Sequence, residues 1–408
     1  MVKTHLLLES EQKVRFIDER KYRERHLLEK AQHIAENNDP GRVPLLKEQQ
    51  IVLKDYFERL LSENRIKART IYQYIVHLHA LGSTLKKPYS SITQQDLISC
   101  LADRHRKGQS PNTIIIQQCI MRQFFTWLGK KDIIAWIKFA KRRKRELTPE
   151  SLLTPEEIKK LVFVSQHERD KCLLIMTYEG ALRLGEVAHI QIKDIVENEH
   201  GITVRVDGKT GVRSILLIDS VPYYKVWLAK HEYRNEPEAY LFYNFAKRDY
   251  GRGLGEKGVS DAVRRAVRIA ELKKRVFPHL FRHSRLDYLG RQGFRERDLK
   301  IFAGWSEDSR MANTYLHYGQ EEVDKKLLAL KGIRLDQEKT IDTTFQPITC
   351  ASCDKQHPPT TMYCNCGELL VEDKRAKADA IMNKLFDYPE FKDLVKKLLA
   401  EEMKKNTS

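Results

Sequence analysis

One stretch of this chain leaves helical periodicity, and it limits the folds available. Between Gly201 and Ile218 apolar residues alternate, as ITVRV and SILLI, on either side of Asp207, Gly208, Lys209, Thr210 and Gly211. Period-two alternation around a glycine-bearing turn predicts a β-hairpin whose turn needs positive φ, with Lys209 at its tip. From Pro44 to about Ala140, by contrast, the spacing predicts four or five amphipathic helices. Leu46, Ile51, Leu53, Phe57, Leu60 and Leu61 make the first stripe, and Ile71, Tyr74, Ile75, Leu78 and Leu81 the second. The expected class is mainly α with a small β-hairpin or sheet.

Capping residues and breaks suggest the boundaries. Residues 9–36 read as one charged helix whose Val14, Ile17, Leu27, Leu28 and Ile34 are too sparse for a buried element, so a surface or a partner is its expected place. Thr93 with Asp96 resembles a capping box, and Ser110 precedes a proline suited to the first helical position. Thr154, Pro155 and Glu157 open a second domain in the same way. The resulting division is 1–43 for the charged helix, 44–140 for a helical domain, 141–150 for a linker and 151–333 for a second domain. A cysteine-bearing segment follows at 346–370, then a charged helical tail at 373–408.

Charge narrows the partners. The chain has 73 Lys and Arg against 56 Asp and Glu, a formal net charge of +17 in 408 residues. Such a field attracts polyanions, nucleic acid first among them. Lys141, Arg142, Arg143, Lys144 and Arg145 lie in succession between the two domains, which suits a linker tracking a DNA backbone through phosphate contacts. No apolar run approaches the roughly 18 residues of a membrane span, and Leu6 to Leu8 is too short a core for a secretion signal, so a cytoplasmic protein without a membrane partner is expected. Gly253, Gly255 and Gly258 have a dinucleotide-like spacing, but no acidic residue follows about twenty positions on to hold a ribose. A flexible loop before a helix starting near Ser260 is the better reading. With no phosphate-binding loop of the GxxxxGK[ST] type, a nucleotide cofactor has no support.

The densest chemistry lies between Pro278 and Tyr318, where His279, Arg282 and His283 precede Trp305, Tyr315 and Tyr318. Upstream, GALRLGEVAHI places Arg183 and Glu186 three apart, on one helical face among apolar residues. GALRLGEVAHI, DGKTG, PHLFRH and FAGWSEDSRMANTYLHY, in that order, resemble the arginine, hairpin-lysine, HxxR and tyrosine motifs of the tyrosine recombinase, or phage-integrase, family. The resemblance spans roughly 45–330. It implies a helical core-binding domain followed by an α+β catalytic domain.

The resemblance also implies a catalytic set of Arg183, Lys209, His279, Arg282, Trp305 and Tyr315. Tyr315 is preferred to Tyr318 as nucleophile because a small polar residue precedes it and histidine follows one residue on. Arginines can offer paired N–H donors to a phosphodiester gaining negative charge. Their field should favour the phenolate, with His279 taking the proton, Glu186 orienting Arg183 and Lys209 protonating the departing 5′-oxygen. A covalent 3′-phosphotyrosine would keep the bond energy, so catalysis needs no cofactor. The expected activity is site-specific recombination of double-stranded DNA, as an integrase or resolvase, by a homotetramer on two DNA sites. A DNA-binding regulator that kept the fold, and a nicking-closing enzyme resembling type IB topoisomerases, are the alternatives.

The seven cysteines divide into two groups. Cys100, Cys119 and Cys172 stand apart in apolar surroundings and read as buried thiols. Cys350 and Cys353 form a CxxC pair, Cys364 and Cys366 a CxC pair, and the four together suit a structural zinc in a segment resembling a short zinc ribbon. His357, lying between the pairs, can replace one of the cysteines.

Overall fold

A computed structural model describes residues 19–63, 65–138, 148–208, 211–316 and 344–370, with isolated positions between 324 and 331. The chain divides into two units, Ile17–Glu146 and the part from Leu147 onward. In the first unit the helices are α1 (Glu19–Ala35), α2 (Lys47–Ser62), α3 (Ala68–Leu85), α4 (Gln94–Arg106) and α5 (Pro111–Trp127). Thr93 and Asp96 exchange the reciprocal capping bonds expected of them, and the Ser110 hydroxyl accepts from the Thr113 N–H. The core joins Tyr56, Tyr89, Phe124 and Phe125 to the aliphatic stripes of α2 and α3. Buried Gln49 ties the start of α2 to the end of α3 by donating to the carbonyls of Gly82 and Lys87.

The first helix departs from expectation. Ala31, Ile34 and Ala35 are buried in the same core, and α1 packs on α3 rather than lying on the surface. Positions 31, 34 and 35 have the i, i+3, i+4 spacing of one face, and the two alanines let the helix approach closely. Reading only large apolar residues misses such a face. The basic run Lys141 to Arg145 lies outside the described residues.

The second unit holds α6 (Pro155–Val164), α7 (Glu168–Glu179), α8 (Leu184–Val187), the strands β1 (Ile195–Asn198), β2 (Gly201–Gly208) and β3 (Gly211–Leu217), then α9 (Val221–Lys230), α10 (Gly255–Ala270), α11 (Pro278–Arg291) and α12 (Glu296–Ala303). The hairpin forms where the alternation places it and gains β1 as a third antiparallel strand. Ile202, Val204 and Val206 of β2 and Ile215 and Leu217 of β3 face the core. Val206 pairs with Arg213 and Gly208 with Gly211, so Lys209 and Thr210, both outside the described residues, are the two residues that connect them. Helix α10 begins at Gly255, earlier than the expected Ser260, and Gly253 forms a β-bridge with Tyr243 instead of belonging to a loose loop. Buried Glu179, at the end of α7, accepts from the N–H groups of Ile218, Asp219 and Ser220 and so fixes the start of α9.

Residues 344–370 belong to this second unit and carry a two-stranded sheet, β4 (Ile348–Thr349) with β5 (Gln356–His357). Phe345 is buried in the main core of the unit beside Tyr178. Of the lone cysteines, Cys100 and Cys172 are buried, whereas Cys119 is only partly so. The tail at 373–408 lies outside the described residues. No helix among the described residues is long and apolar enough to cross a membrane.

Candidate active site

Two helix endings build the site. Helix α7 closes in a turn where the Leu182 N–H reaches back to the Thr177 carbonyl and the Ala181 N–H to Tyr178, with Ala181 at φ +44°. Helix α12 closes the same way: Trp305 reaches Lys300, Gly304 reaches Ile301, and Gly304 has φ +60°. Both are Schellman-type caps, which leave helix-terminal carbonyls pointing outward at the negative end of the helix dipole. Arginines take them up. Arg282 donates to the carbonyls of Ala181 and Ala303, each at 2.7 Å, and Arg183 donates to the Gly304 carbonyl at 3.0 Å. Residues 121 positions apart in sequence are joined in this way.

A buried carboxylate balances the cluster. Glu186 accepts from Arg183 Nη1 at 2.6 Å and from Arg213 Nη1 and Nη2 at 2.7 and 2.9 Å, and it also accepts from the Arg183 backbone N–H at 2.8 Å. Its side chain is 2% exposed. Burial pushes its pKa upward most strongly, yet the bonds and charges of Arg213 and Arg183 outweigh that and bring it down from 4.5 to about 2. The carboxylate binds fewer protons in the folded than in the unfolded chain, so its contribution to stability is complete above the unfolded value and fades as pH falls from about 4.5 to about 2. Glu186→Gln should therefore flatten the decline of the melting temperature across that window. At neutral pH it should cost about 3 kcal/mol, because two guanidiniums lose their counter-charge. An acid-limb melting profile identical to wild type would rule out Glu186 as the balancing charge.

Arg213 is absent from the set expected from sequence. The signal was available: position 213 shares the inward parity of Ile215 and Leu217 on β3, and a charge there must find a partner. Gly208 is the other missed residue. A Cβ at 208 would come within 2.5 Å of Glu186 Oε1 and 3.1 Å of Arg183 Nη1, so the end of β2 lies against the arginine cluster and leaves no room for a side chain.

Tyr315 is buried, 2% exposed, and its hydroxyl is hydrogen-bonded to Nδ1 of His283. The His283 ring is the one that meets the phenol; His279, itself exposed, packs edge-on against it, with ring centroids 4.5 Å apart. Burial, then the neighbouring His279 and Arg282, push the His283 pKa down to about 4, so the ring is neutral at pH 7. We assign the phenol O–H as donor to Nδ1. Partial burial, then Arg282 and Arg183, likewise lower the pKa of His279. The ease of ionisation expected of Tyr315 does not hold in this state: burial raises its pKa to about 12, and the opposing pull of Arg282 is smaller. The proton therefore stays on oxygen in the DNA-free protein.

Trp305 forms a wall. Its ring lies over the Arg282 guanidinium at 5.3 Å and stacks on Tyr315 at 5.8 Å, the planes 13° apart. Arg282 itself is only 2% exposed. Of the expected catalytic set, Arg183, His279, Arg282, Trp305 and Tyr315 are gathered here, while Lys209 and the alternative nucleophile Tyr318 lie outside the described residues.

The site thus joins three guanidiniums, paired through Glu186 or bonded to helix-end carbonyls, with a buried tyrosine bonded to a histidine. The phage integrase family model matches residues 151–322, and the SAM-like N-terminal domain of phage integrases matches 53–146. The chain belongs to the phage-integrase family of tyrosine recombinases, enzymes that cleave and rejoin DNA. It is 25% identical over 241 residues to tyrosine recombinase XerC of Shewanella amazonensis, which covers 57% of this chain and 79% of the relative. Among solved structures, XerH recombinase bound to its difH substrate has the same fold, with a TM-score of 0.52 and 16% identity over 76% of this chain and 96% of that one. A lambda integrase tetramer bound to a Holliday junction gives a TM-score of 0.51 and 17% identity, covering 71% of this chain and 79% of that one.

Proposed function

We propose that this protein is a site-specific DNA recombinase of the integrase or resolvase kind, with Tyr315 as its nucleophile. The Tyr315 oxygen bonds to phosphorus, the bond from phosphorus to the 5′-oxygen breaks, and that oxygen leaves with a proton. A 3′-phosphotyrosine remains, and the free 5′-hydroxyl of the same or another strand reverses the step without nucleotide hydrolysis. The observation that carries this reading is the Tyr315 phenol, bonded to neutral His283 and lying beside the buried Arg282 guanidinium.

An incoming phosphodiester is an anion. It raises the pKa of both His283 and His279, which makes each a better proton acceptor than in the DNA-free state. Lys209 is the acid for the leaving 5′-oxygen, a role that rests on the family resemblance. Lys141, Arg142, Arg143, Lys144 and Arg145 track the DNA backbone, and the net charge of +17 speeds the encounter. The lambda integrase tetramer shares this fold, which supports assembly of four protomers on two DNA sites. The protein acts in the cytoplasm, and its strand cleavage uses no metal.

The test is a nicked suicide duplex carrying a site selected by this protein from a random DNA pool. Wild type and Tyr318→Phe should form a covalent adduct, and Tyr315→Phe none. An adduct lost in Tyr318→Phe but kept in Tyr315→Phe would move the nucleophile. Tight binding with no adduct from any variant would instead favour a DNA-binding regulator.

A further inference from the structure

The cysteine segment has almost no core of its own. Its apolar cluster is Cys350, Cys364 and Leu370, with Ile348 and Cys353 packed against them, so three of the five members are cysteines. A 27-residue segment with such a core is far too small to hold a fold by burial alone and needs a staple. Disulfides do not supply it. Cys353 and Cys364 have their sulfurs 3.4 Å apart and Cys350 and Cys366 3.6 Å, well beyond a disulfide bond, and all the cysteines are free.

Those distances suit a metal. Four sulfurs at 2.3 Å from a tetrahedral centre lie roughly 3.8 Å from one another. Here all four Sγ atoms fall within 4.8 Å of each other. Each pair sits on a tight turn ending in a left-handed residue: Asp354, φ +54°, donates its N–H to the Cys350 carbonyl, and Gly367, φ +93°, donates to the Cys364 carbonyl. The second pair is one residue shorter than the first, but its turn still delivers both sulfurs to the cluster. His357 Nε2 is 3.1 Å from Cys364 Sγ, the place of a hydrogen-bond donor to a thiolate rather than of a fifth ligand.

We propose that Cys350, Cys353, Cys364 and Cys366 bind one zinc ion as thiolates, with His357 donating to Cys364, and that the ion fastens residues 344–370 to the catalytic unit. On binding, four thiols release four protons and the Zn(II) centre acquires four sulfur bonds; nothing is oxidised or reduced. Among the described residues, buried contacts at Phe345 and Thr360 join the segment to the unit. Phe345 packs into its main core beside Tyr178, and the Thr360 hydroxyl donates to the Tyr223 hydroxyl at 3.2 Å. The ion thereby anchors the chain that leaves the nucleophile at Tyr315. The inference does not depend on the strand-cleavage reading.

The experiment is elemental analysis of the full-length protein purified under reducing conditions, followed by cobalt substitution and limited proteolysis. One zinc per chain is expected, with a cobalt spectrum of tetrahedral thiolate type. Cys350→Ser and Cys366→Ser should each lose the metal, whereas His357→Ala should keep a full equivalent with about 10- to 100-fold weaker affinity. Chelation should expose 344–370 to protease, and Phe345→Ala should do so with zinc still bound. Iron in place of zinc, no metal after reconstitution, or retention in Cys366→Ser together with loss in His357→Ala would each overturn the proposed site. Unchanged proteolysis after complete zinc removal would overturn the anchoring role.

Discussion

Arg282→Lys should slow covalent cleavage by about 10²- to 10³-fold in a single-turnover suicide-DNA assay, the loss expected when one preorganised donor set is removed from a charge-stabilising site. The guanidinium is fixed by two carbonyls, those of Ala181 and Ala303, from the ends of two different helices. An ammonium has no planar fork, so it can satisfy one carbonyl but not both while presenting a donor to phosphate. Burial and the neighbouring Arg183 lower the pKa of Arg282 to about 9, which leaves it charged at neutral pH. Arg282→Ala should in addition destabilise the fold by about 1–3 kcal/mol for each carbonyl left buried without a donor. Comparing the two variants separates chemistry from folding: cleavage by Arg282→Lys within threefold of wild type would show that the arginine serves only to join the helix ends.

Gly290→Ala should abolish most adduct formation while leaving DNA binding near wild type. Gly290 faces the backbone of Tyr315 so closely that an added Cβ would overlap the tyrosine carbonyl oxygen. The helix α11 that carries His283 is thus also the surface against which the Tyr315 backbone rests. One methyl group must push the two apart, and a displacement of about 1 Å in a reacting group can cost on the order of 10²-fold in rate. The readout is the adduct rate at saturating protein, beside a gel-shift affinity on the same duplex. If the adduct rate of Gly290→Ala stayed normal, the close approach would be incidental to positioning.

Much of the architecture was legible because local rules decide it. The caps at Thr93, Ser110 and Thr154 involve residues three apart, and side-chain oxygens at those positions satisfy N–H groups that any helix start leaves open. The hairpin at 201–218 follows from period-two alternation and its glycines. The buried face of helix α1 is not legible from its large residues, because alanines carry it where the partner helix approaches closely. In the site, Arg183 with Glu186 and the HxxR residues could be named from motifs. Arg213 could have been found from its inward parity. Gly290 could not, since nothing near it in sequence says that Tyr315 will lie against it.

Most of the helices, the 201–218 hairpin, the net charge, the order of the motifs from Arg183 to Tyr315 and the two cysteine pairs can be read from the sequence. These depend on near neighbours, on composition or on residue chemistry. Packing had to show which histidine meets the phenol, that burial raises the Tyr315 pKa more than Arg282 lowers it, and that Glu186 serves two arginines. It alone brought the four sulfurs within 4.8 Å. The physical reason is common to all of these: desolvation and charge pairing depend on distances between residues tens to more than a hundred positions apart, and those distances are set by the packing of α7, α11, α12 and the hairpin.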